Sequence, residues 1–172
     1  EKALALNPEL AVISSNLGAM AREAGEWESA LQYFEKALKI DPNLAKAHHN
    51  LGTTLKKLGR FDEAEASYTQ AIALKPDFAE ALHNRGYLLF DNGQFEAAIR
   101  DGDACILKKT RVLPLVSLYA LGRIGEIYKR IEIQSKSDGE DISVAAFAAF
   151  ISEAEKKPTA YNFCPNPIDF IH

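Results

Sequence analysis

Apolar and polar positions follow a helical period through the first two thirds of the chain. In residues 51–58 the apolar positions recur at steps of three or four, and after Gly59 the same spacing resumes as far as residue 72. A glycine between two such stretches is suited to the left-handed conformation that ends a helix. The pattern therefore predicts a helix, a short turn and a second helix.

This two-helix unit recurs with a period of 34 residues. Pro8, Pro42 and Pro76 are separated by that interval. Further residues share the register: Gly18, Gly52 and Gly86; Gly25, Gly59 and Gly93; Ala30, Ala64 and Ala98; and the aromatic residues Trp27, Phe61 and Phe95. A fixed period of this length is the signature of a stacked repeat architecture. We expect an all-α solenoid in which Pro42 and Pro76 lie in the opening turn of the next helix.

One glycine of the register falls in the middle of a predicted helix. Gly52 costs about 1 kcal/mol there relative to alanine. Such a glycine is explained if a neighbouring helix approaches its backbone closely. We expect Ala64 of the second helix to make that contact.

The repeated residues resemble the pattern of the tetratricopeptide repeat family. The pattern is carried by Leu17, Gly18, Ala30, Phe34, Ala37 and Pro42 in one unit, and by Leu51, Gly52, Ala64, Tyr68, Ala71 and Pro76 in the next. The resemblance implies a right-handed α-solenoid, the tetratricopeptide superhelix of helix-turn-helix repeats. It also implies a concave face that the first helices of the repeats line and that binds other proteins.

The register divides the chain into repeats. Residues 1–10 are predicted to end an incomplete repeat, because residues 1–4 match residues 35–38, and three repeats follow at 11–44, 45–78 and 79–110. Solenoid ends that lack a polar cap are prone to stack on other helices. The third repeat departs from the pattern at Arg85, Gly102 and Thr110, which predicts a weakened second helix.

The remaining residues predict a degenerate end to the solenoid. Residues 121–124 echo residues 58–61, so 111–157 is expected to hold a degenerate helical pair, with Pro114 near its start and a second helix at 124–135. Val144, Phe147, Ala148 and Ile151 have helical spacing, which predicts a capping helix. The proline-rich tail, 158–172, is expected to be extended.

The tail also resembles a segment that joins tetratricopeptide repeats to a catalytic domain in some bacterial 2-oxoglutarate and iron(II)-dependent oxygenases. That resemblance implies that this chain is the N-terminal scaffold of a larger protein. The His-x-Asp iron-binding sequence of such oxygenases does not occur in the chain.

Composition narrows the classes of partner. The chain has 172 residues, 26% of them charged, and a net charge of −4, which argues against nucleic acid as a partner. No apolar run approaches the ~20 residues of a membrane-spanning helix. No secretory signal is visible, and Cys105 and Cys164 lack the spacing of a disulfide framework, so a cytoplasmic protein with reduced thiols is predicted.

An asparagine recurs on each predicted first helix. Asn16, Asn50 and Asn84 occupy the same repeat position, and an amide can both donate to and accept from a peptide backbone. Packed helices lie roughly 8–10 Å apart and an extended peptide advances roughly 3.3–3.6 Å per residue. Each asparagine could thus meet about every third residue of a ligand. The resemblance adds that asparagines at this position form such a ladder in O-linked N-acetylglucosamine transferases; bonds to neighbouring repeats or water are the alternative.

Further side chains are predicted to line the concave groove. They are Lys46, His49, Thr53, Lys57, His83 and Tyr87. The groove changes from nearly apolar in the first repeat to basic in the second and acidic in the third, so a ligand with an acidic residue near its middle would fit. Chaperone-binding members of the family grip a C-terminal carboxylate with basic residues, but Glu80 and Asn84 occupy two of those positions here. A carboxylate clamp is therefore disfavoured.

Catalytic and metal-binding motifs are not found. The sequence has no phosphate loop, dinucleotide fingerprint or GxSxG elbow, and the spacing of His49 and His83 argues against a shared metal. We expect no cofactor, no metal and no catalysis within this chain. The leading interpretation is a scaffold that binds an extended peptide. Alternatives are a homo-oligomer formed by stacking through the N-terminal repeat, and a substrate-recruiting module of a larger oxygenase or glycosyltransferase.

Overall fold

A computed structural model describes residues 8–105, 112–137 and 151, and within them the protein is entirely helical. The helices are α1 (Pro8–Glu23), α2 (Trp27–Ile40), α3 (Ala45–Lys57), α4 (Phe61–Leu74), α5 (Ala79–Asp91), α6 (Phe95–Ala104), α7 (Val112–Ala120) and α8 (Ile124–Ser137). Successive helices pair as antiparallel hairpins that stack on one another. The predicted all-α repeat solenoid is confirmed.

A glycine in left-handed conformation ends the first helix of each hairpin that the structure describes. Gly25, Gly59, Gly93 and Gly122 have φ of 81°, 75°, 74° and 69°. At Gly59 the turn is closed by the amide of Arg60, which donates to the carbonyl of Leu55 at 2.9 Å. The fourth of these glycines, Gly122, lies between α7 and α8, and Pro114 lies in the first turn of α7.

The position predicted for two of the prolines is wrong. Pro42 and Pro76 lie in the turns between hairpins, three residues before α3 and α5 begin. The first carbonyl to accept helical bonds is that of Leu44, from the amides of Ala47 and His48 at 2.9 and 3.1 Å. The fixed φ of proline therefore shapes the connection that precedes the helix.

The hairpins form two layers. Each first helix contacts the first helix of the next hairpin, whereas a second helix makes its main contacts to the next hairpin through that hairpin's first helix. The inner layer consists of α1, α3, α5 and α7, and the outer layer of α2, α4, α6 and α8. The inner layer carries the predicted groove residues.

In each of the first two hairpins, an aromatic ring of the second helix packs against a glycine of the first helix. The rings of Phe34 and Tyr68 are fully buried against Gly18 and Gly52. A Cβ at Gly52 would lie 2.8 Å from the Tyr68 ring and 3.1 Å from the carbonyl oxygen of Ala64. The close approach expected at Gly52 is confirmed, although Tyr68 is nearer than the predicted Ala64.

The third hairpin is closed by the helix that follows it. Gly102 stands where the first two hairpins have an aromatic residue, and α6 has 10 residues against 14 in α4. Leu113 of α7 takes the place of the ring: its Cδ2 lies 2.8 Å from the position of a Cβ at Gly86. Pro114 of the same helix approaches a Cβ position at Gly102 to 2.6 Å.

A buried ion pair accompanies this change. Arg85 occupies the repeat position of Leu51, and its guanidinium donates two hydrogen bonds to the carboxylate of Asp101, at 2.7 and 2.6 Å. A third bond goes to Thr69 Oγ1 at 3.0 Å. The pair links the two helices of the third hairpin, and the bond to Thr69 links that hairpin to the second.

Ion pairs and one apolar cluster fix the last described hairpin. Arg123 pairs with Glu96 at 2.8 Å, and Arg130 pairs with Asp103. Ile151 is fully buried in a cluster with residues of α6, α7 and α8. Apart from Ile151, the predicted capping helix lies outside the described residues, as do residues 1–7, the segment 106–111 and the tail 158–172.

Candidate peptide-binding groove

The three in-phase asparagines lie on successive helices of the inner layer. Asn16 of α1 is exposed, Asn84 of α5 is half-buried, and Asn50 of α3 is only 5% exposed. The helical repeat brings them into register, but it does not make them equally accessible.

Two of the asparagines bond to a neighbouring repeat. Nη1 of Arg22 on α1 donates to Oδ1 of Asn50 at 3.3 Å. Nδ2 of Asn84 lies 2.9 Å from Nε2 of His49, at hydrogen-bond distance. Inter-repeat bonds, one of the two interpretations drawn from the sequence, are therefore present at Asn50 and Asn84.

His49 forms the centre of this network. Its ring lies 5.0 Å from that of Phe78 and 5.9 Å from that of Tyr68, between centroids. Burial lowers the pKa of His49; the carboxylate of Glu80 opposes the shift, while Arg22 and Lys46 add to it. A neutral ring can accept a hydrogen bond from Asn84 through Nε2.

The hydroxyl of Thr53 forms hydrogen bonds within its own repeat. Its hydroxyl donates to the carbonyl of His49 at 3.1 Å and accepts from the hydroxyl of Tyr68 at 3.3 Å. Burial raises the pKa of Tyr68, and this hydrogen bond opposes the rise. Thr53 thus helps to hold the buried ring in place, and its hydroxyl proton is already donated within the repeat.

His83 and Tyr87 form an aromatic pair on α5. Their ring centroids are 4.9 Å apart and both side chains are half-buried. Burial raises the pKa of Tyr87, and the nearby carboxylate of Asp91 raises it further. The pair presents a partly apolar surface next to an acidic group.

The two lysines of the predicted site remain accessible. Lys46 and Lys57 are exposed on α3, at opposite ends of the stripe that contains Asn50. Across the described ranges, no set of three or more His, Cys, Asp or Glu side chains is arranged to hold a metal ion. Within the same ranges, no helix combines the length and apolar content needed to cross a bilayer.

Sequence reasoning missed the contacts of three residues, Arg22, Tyr68 and Phe78, with the predicted groove residues. Arg22 lies at the twelfth position of its repeat, outside the stripe assigned to the concave face. The equivalent residue in the third repeat, Phe90, also packs towards the following hairpin. A long side chain at this position was the available signal.

Two family models match the chain. Both describe the tetratricopeptide repeat, over residues 9–77 and 67–100. The chain belongs to the tetratricopeptide repeat family. No curated protein sequence matches it significantly.

Solved structures of other tetratricopeptide domains are similar in fold. The chain superposes on MamA 41-end from Desulfovibrio magneticus RS-1 with a TM-score of 0.71 and 17% identity, covering 85% of each chain. It superposes on the first TPR of Spaghetti (RPAP3), bound to the HSP90 peptide SRMEEVD, with a TM-score of 0.65 and 20% identity, covering 69% of this chain and 98% of that one. It superposes on the Arabidopsis OM64 TPR domain with a TM-score of 0.59 and 21% identity, covering 68% of this chain and 98% of that one. At these identities the similarity is one of fold.

The resemblance of the tail to an oxygenase linker stays a prediction, because the tail lies outside the described residues. The cytoplasmic location and the absence of catalysis stay predictions as well.

Proposed function

We propose that the chain is a protein-interaction scaffold that binds an extended peptide along its inner helical layer. The observation that carries this proposal is the continuous stripe of amide, aromatic and charged side chains on α1, α3 and α5, with exposed groups in each of these helices. The peptide-bound Spaghetti domain has the same fold, which supports this mode of binding.

The asparagines would have different roles in binding. Asn16 is exposed and Asn84 is half-buried, so both can meet a ligand backbone directly. Asn84 places Nδ2 on His49, which leaves its carbonyl oxygen to accept from a peptide amide. Asn50 lies under Arg22, so it orients that guanidinium unless the ligand displaces it.

A peptide-array experiment tests the proposal. The wild type is compared with a variant in which Asn16, Asn50 and Asn84 are replaced by alanine, and circular dichroism checks that helicity is retained. We expect the triple variant to lose most peptide binding. The changes at Asn16 and Asn84 each remove a backbone contact worth about 0.5–1.5 kcal/mol, and the change at Asn50 removes the amide that orients Arg22. The matched control is Gln32→Ala with Gln70→Ala, two exposed amides on the outer helices α2 and α4.

Two results would overturn the asparagine mechanism. One is peptide binding that the triple variant retains at full strength. The other is an equal loss in the outer-layer control, since that would indicate a general effect of removing surface amides.

A second candidate function is self-association through α1. Large apolar side chains lie along one face of this helix: Leu10, Ile13, Leu17 and Met20, which are between 40% and 65% exposed. The equivalents of Ile13 in α3 and α5, Ala47 and Ala81, are fully buried. In α3 and α5 this face contacts the second helix of the preceding repeat. A second copy of the chain could cover it on α1 in the same way.

Equilibrium sedimentation of the wild type and of Ile13→Glu with Met20→Glu distinguishes this candidate. Stacking predicts a mass that rises with concentration in the wild type and stays monomeric in the variant. A wild type that is monomeric at all concentrations, or a variant that associates equally, would contradict it.

A further inference from the structure

The charges of the inner layer change sign between the second and third repeats at two matched positions. Lys46 and Glu80 occupy the same repeat position on α3 and α5, and so do Lys57 and Asp91. All four side chains are exposed. The groove therefore presents a basic strip on α3 beside an acidic strip on α5.

These opposite charges do not neutralise each other. In the described part of the chain none of the four takes part in an ion pair, whereas Arg123 and Glu96 of neighbouring hairpins pair at 2.8 Å. His49 of α3 and Asn84 of α5 lie 2.9 Å apart, and Lys46 and Glu80 precede them by about one helical turn on the same two helices. Their charges are available to a ligand that lies across the ring.

The acidic strip includes an aromatic surface. Glu80, His83, Tyr87 and Asp91 follow one another at helical spacing, and His83 and Tyr87 are in ring contact. A lysine or arginine stem can pack on a half-buried aromatic ring while its charged head stays near a carboxylate. This arrangement suits a basic side chain over α5.

The basic strip has a second cation behind it. Arg22 lies close enough to lower the pKa of His49, and it covers the amide of Asn50. A carboxylate over α3 would thus lie near Lys46 and Arg22, with Lys57 further along the helix. This arrangement suits an acidic side chain.

We propose that the groove selects extended segments in which an acidic residue and a basic residue are about three positions apart, the acidic one over α3 and the basic one over α5. The spacing follows from neighbouring helix axes roughly 8–10 Å apart and an advance of roughly 3.3–3.6 Å per residue in an extended chain. This selectivity rests on the proposed binding of peptides in the groove. It differs from a carboxylate clamp because it needs a cationic residue in the ligand and no free C-terminus.

Fluorescence anisotropy with a designed peptide set tests the selectivity. The probes share one alanine-serine background, have blocked termini, and carry an Asp and a Lys three positions apart, the same two residues adjacent, two Asp, two Lys, or two Gln. We expect the spaced Asp-Lys peptide to bind more tightly than the Gln peptide by about two- to five-fold per charge, and this advantage to shrink at high salt.

A charge-reversal variant tests whether the acidic strip sets the preference for a basic residue. Glu80→Lys should change the preference of the groove from the Asp-Lys peptide to the peptide with two Asp. The matched control is Glu35→Lys, the same charge change at an exposed position of the outer helix α2, which should keep the wild-type preference.

The outcomes separate this inference from the proposed function. Equal binding of all charge patterns, with binding still lost in the triple asparagine variant, would overturn the charge selectivity and leave the groove as a peptide site. Binding of no peptide by the wild type would overturn both. A shift of preference in Glu35→Lys equal to that in Glu80→Lys would also overturn the inference, since net charge would then explain it.

Discussion

The second and third hairpins occupy equivalent places in the repeat register but are closed by different contacts. In the second, the Tyr68 ring covers Gly52, and both residues belong to the same hairpin. In the third, Leu113 of α7 covers Gly86, and Arg85 pairs with Asp101 at a position where the second hairpin has Leu51. The second hairpin therefore carries its own closing group, while the third depends on the helix that follows it.

This difference determines how strongly each of the two hairpins depends on its neighbours. A hairpin whose own ring fills the space between its two helices can be repeated in a regular array, because each repeat of a solenoid contacts only the adjacent repeats. The third hairpin is joined to α7 by apolar contacts, and to the residue before α8 and to α8 itself by the ion pairs at Arg123 and Arg130. The acidic strip of the groove thus lies on the repeat that is most tightly coupled to the C-terminal part.

The largest expected effect comes from breaking the ion pair of the third hairpin. The side chains of Arg85 and Asp101 are 19% and 6% exposed. Asp101→Ser should destabilise the protein by about 3 kcal/mol, because it leaves a largely buried guanidinium without its carboxylate. Urea unfolding followed by circular dichroism measures the loss.

A rescue variant separates the charge from the packing. Arg85→Leu combined with Asp101→Ser reproduces Leu51 and Ser67 of the second hairpin. We expect this double variant to unfold within about 1 kcal/mol of the wild type, since removing both charges leaves no buried ion without its partner. A double variant as unstable as the single one would mean that the third hairpin cannot accept the leucine and serine of the second.

A smaller loss of stability is expected from alanine substitutions at Gly52 and Gly86, the two glycines that Tyr68 and Leu113 cover. A Cβ at Gly52 would lie 2.8 Å from a rigid ring and 3.1 Å from a backbone oxygen, whereas a Cβ at Gly86 would lie 2.8 Å from the end of a leucine side chain. Gly52→Ala should cost about 1–3 kcal/mol through overpacking. Gly86→Ala should cost less than about 1 kcal/mol, because Leu113 can move and alanine favours the helix.

Thermal unfolding of both alanine variants checks this ranking, with Gly125→Ala as the control. A Cβ at Gly125, in α8, would meet no atom within 4 Å. That variant should be as stable as the wild type or slightly more stable. A larger loss at Gly86 than at Gly52 would reverse the interpretation of which hairpin is more tightly packed.

The smallest expected effect is a pH dependence of the free energy of unfolding that is caused by His49, which lies between the second and third hairpins. Burial lowers its pKa, so the unfolded chain takes up a proton at higher pH than the folded one. The stability that His49 contributes should be complete above about pH 6.5 and decline as the pH falls towards its lower folded-state pKa. Protonation would also remove the acceptor that faces Asn84.

Urea unfolding across this pH range checks the sign, with His49→Gln expected to show a flatter profile than the wild type. Glu80, Arg22 and Lys46 are unchanged in that variant, so their charges act equally in both proteins. A wild-type stability that rises as the pH falls would contradict the assignment.

The sequence by itself determined the helical repeat. The 34-residue register predicted the hairpins, the left-handed glycines and the close approach at Gly52. These features depend on residues within one hairpin, where helical periodicity and glycine geometry decide the conformation. The same reasoning placed Pro42 and Pro76 inside the next helix, which was wrong because the helical bonds begin only at the residue before Ala45 in α3.

Only the tertiary structure decided which side chains meet between hairpins. The contacts of Arg22 with Asn50 and of His49 with Asn84 join residues 28 and 35 positions apart, and the cover of Gly86 by Leu113 comes from another hairpin. Periodicity places each of these residues on a helix face, but it does not fix how far one hairpin is rotated and shifted against the next. That packing depends on the shapes of all the side chains at the interface, because protein interiors are close-packed.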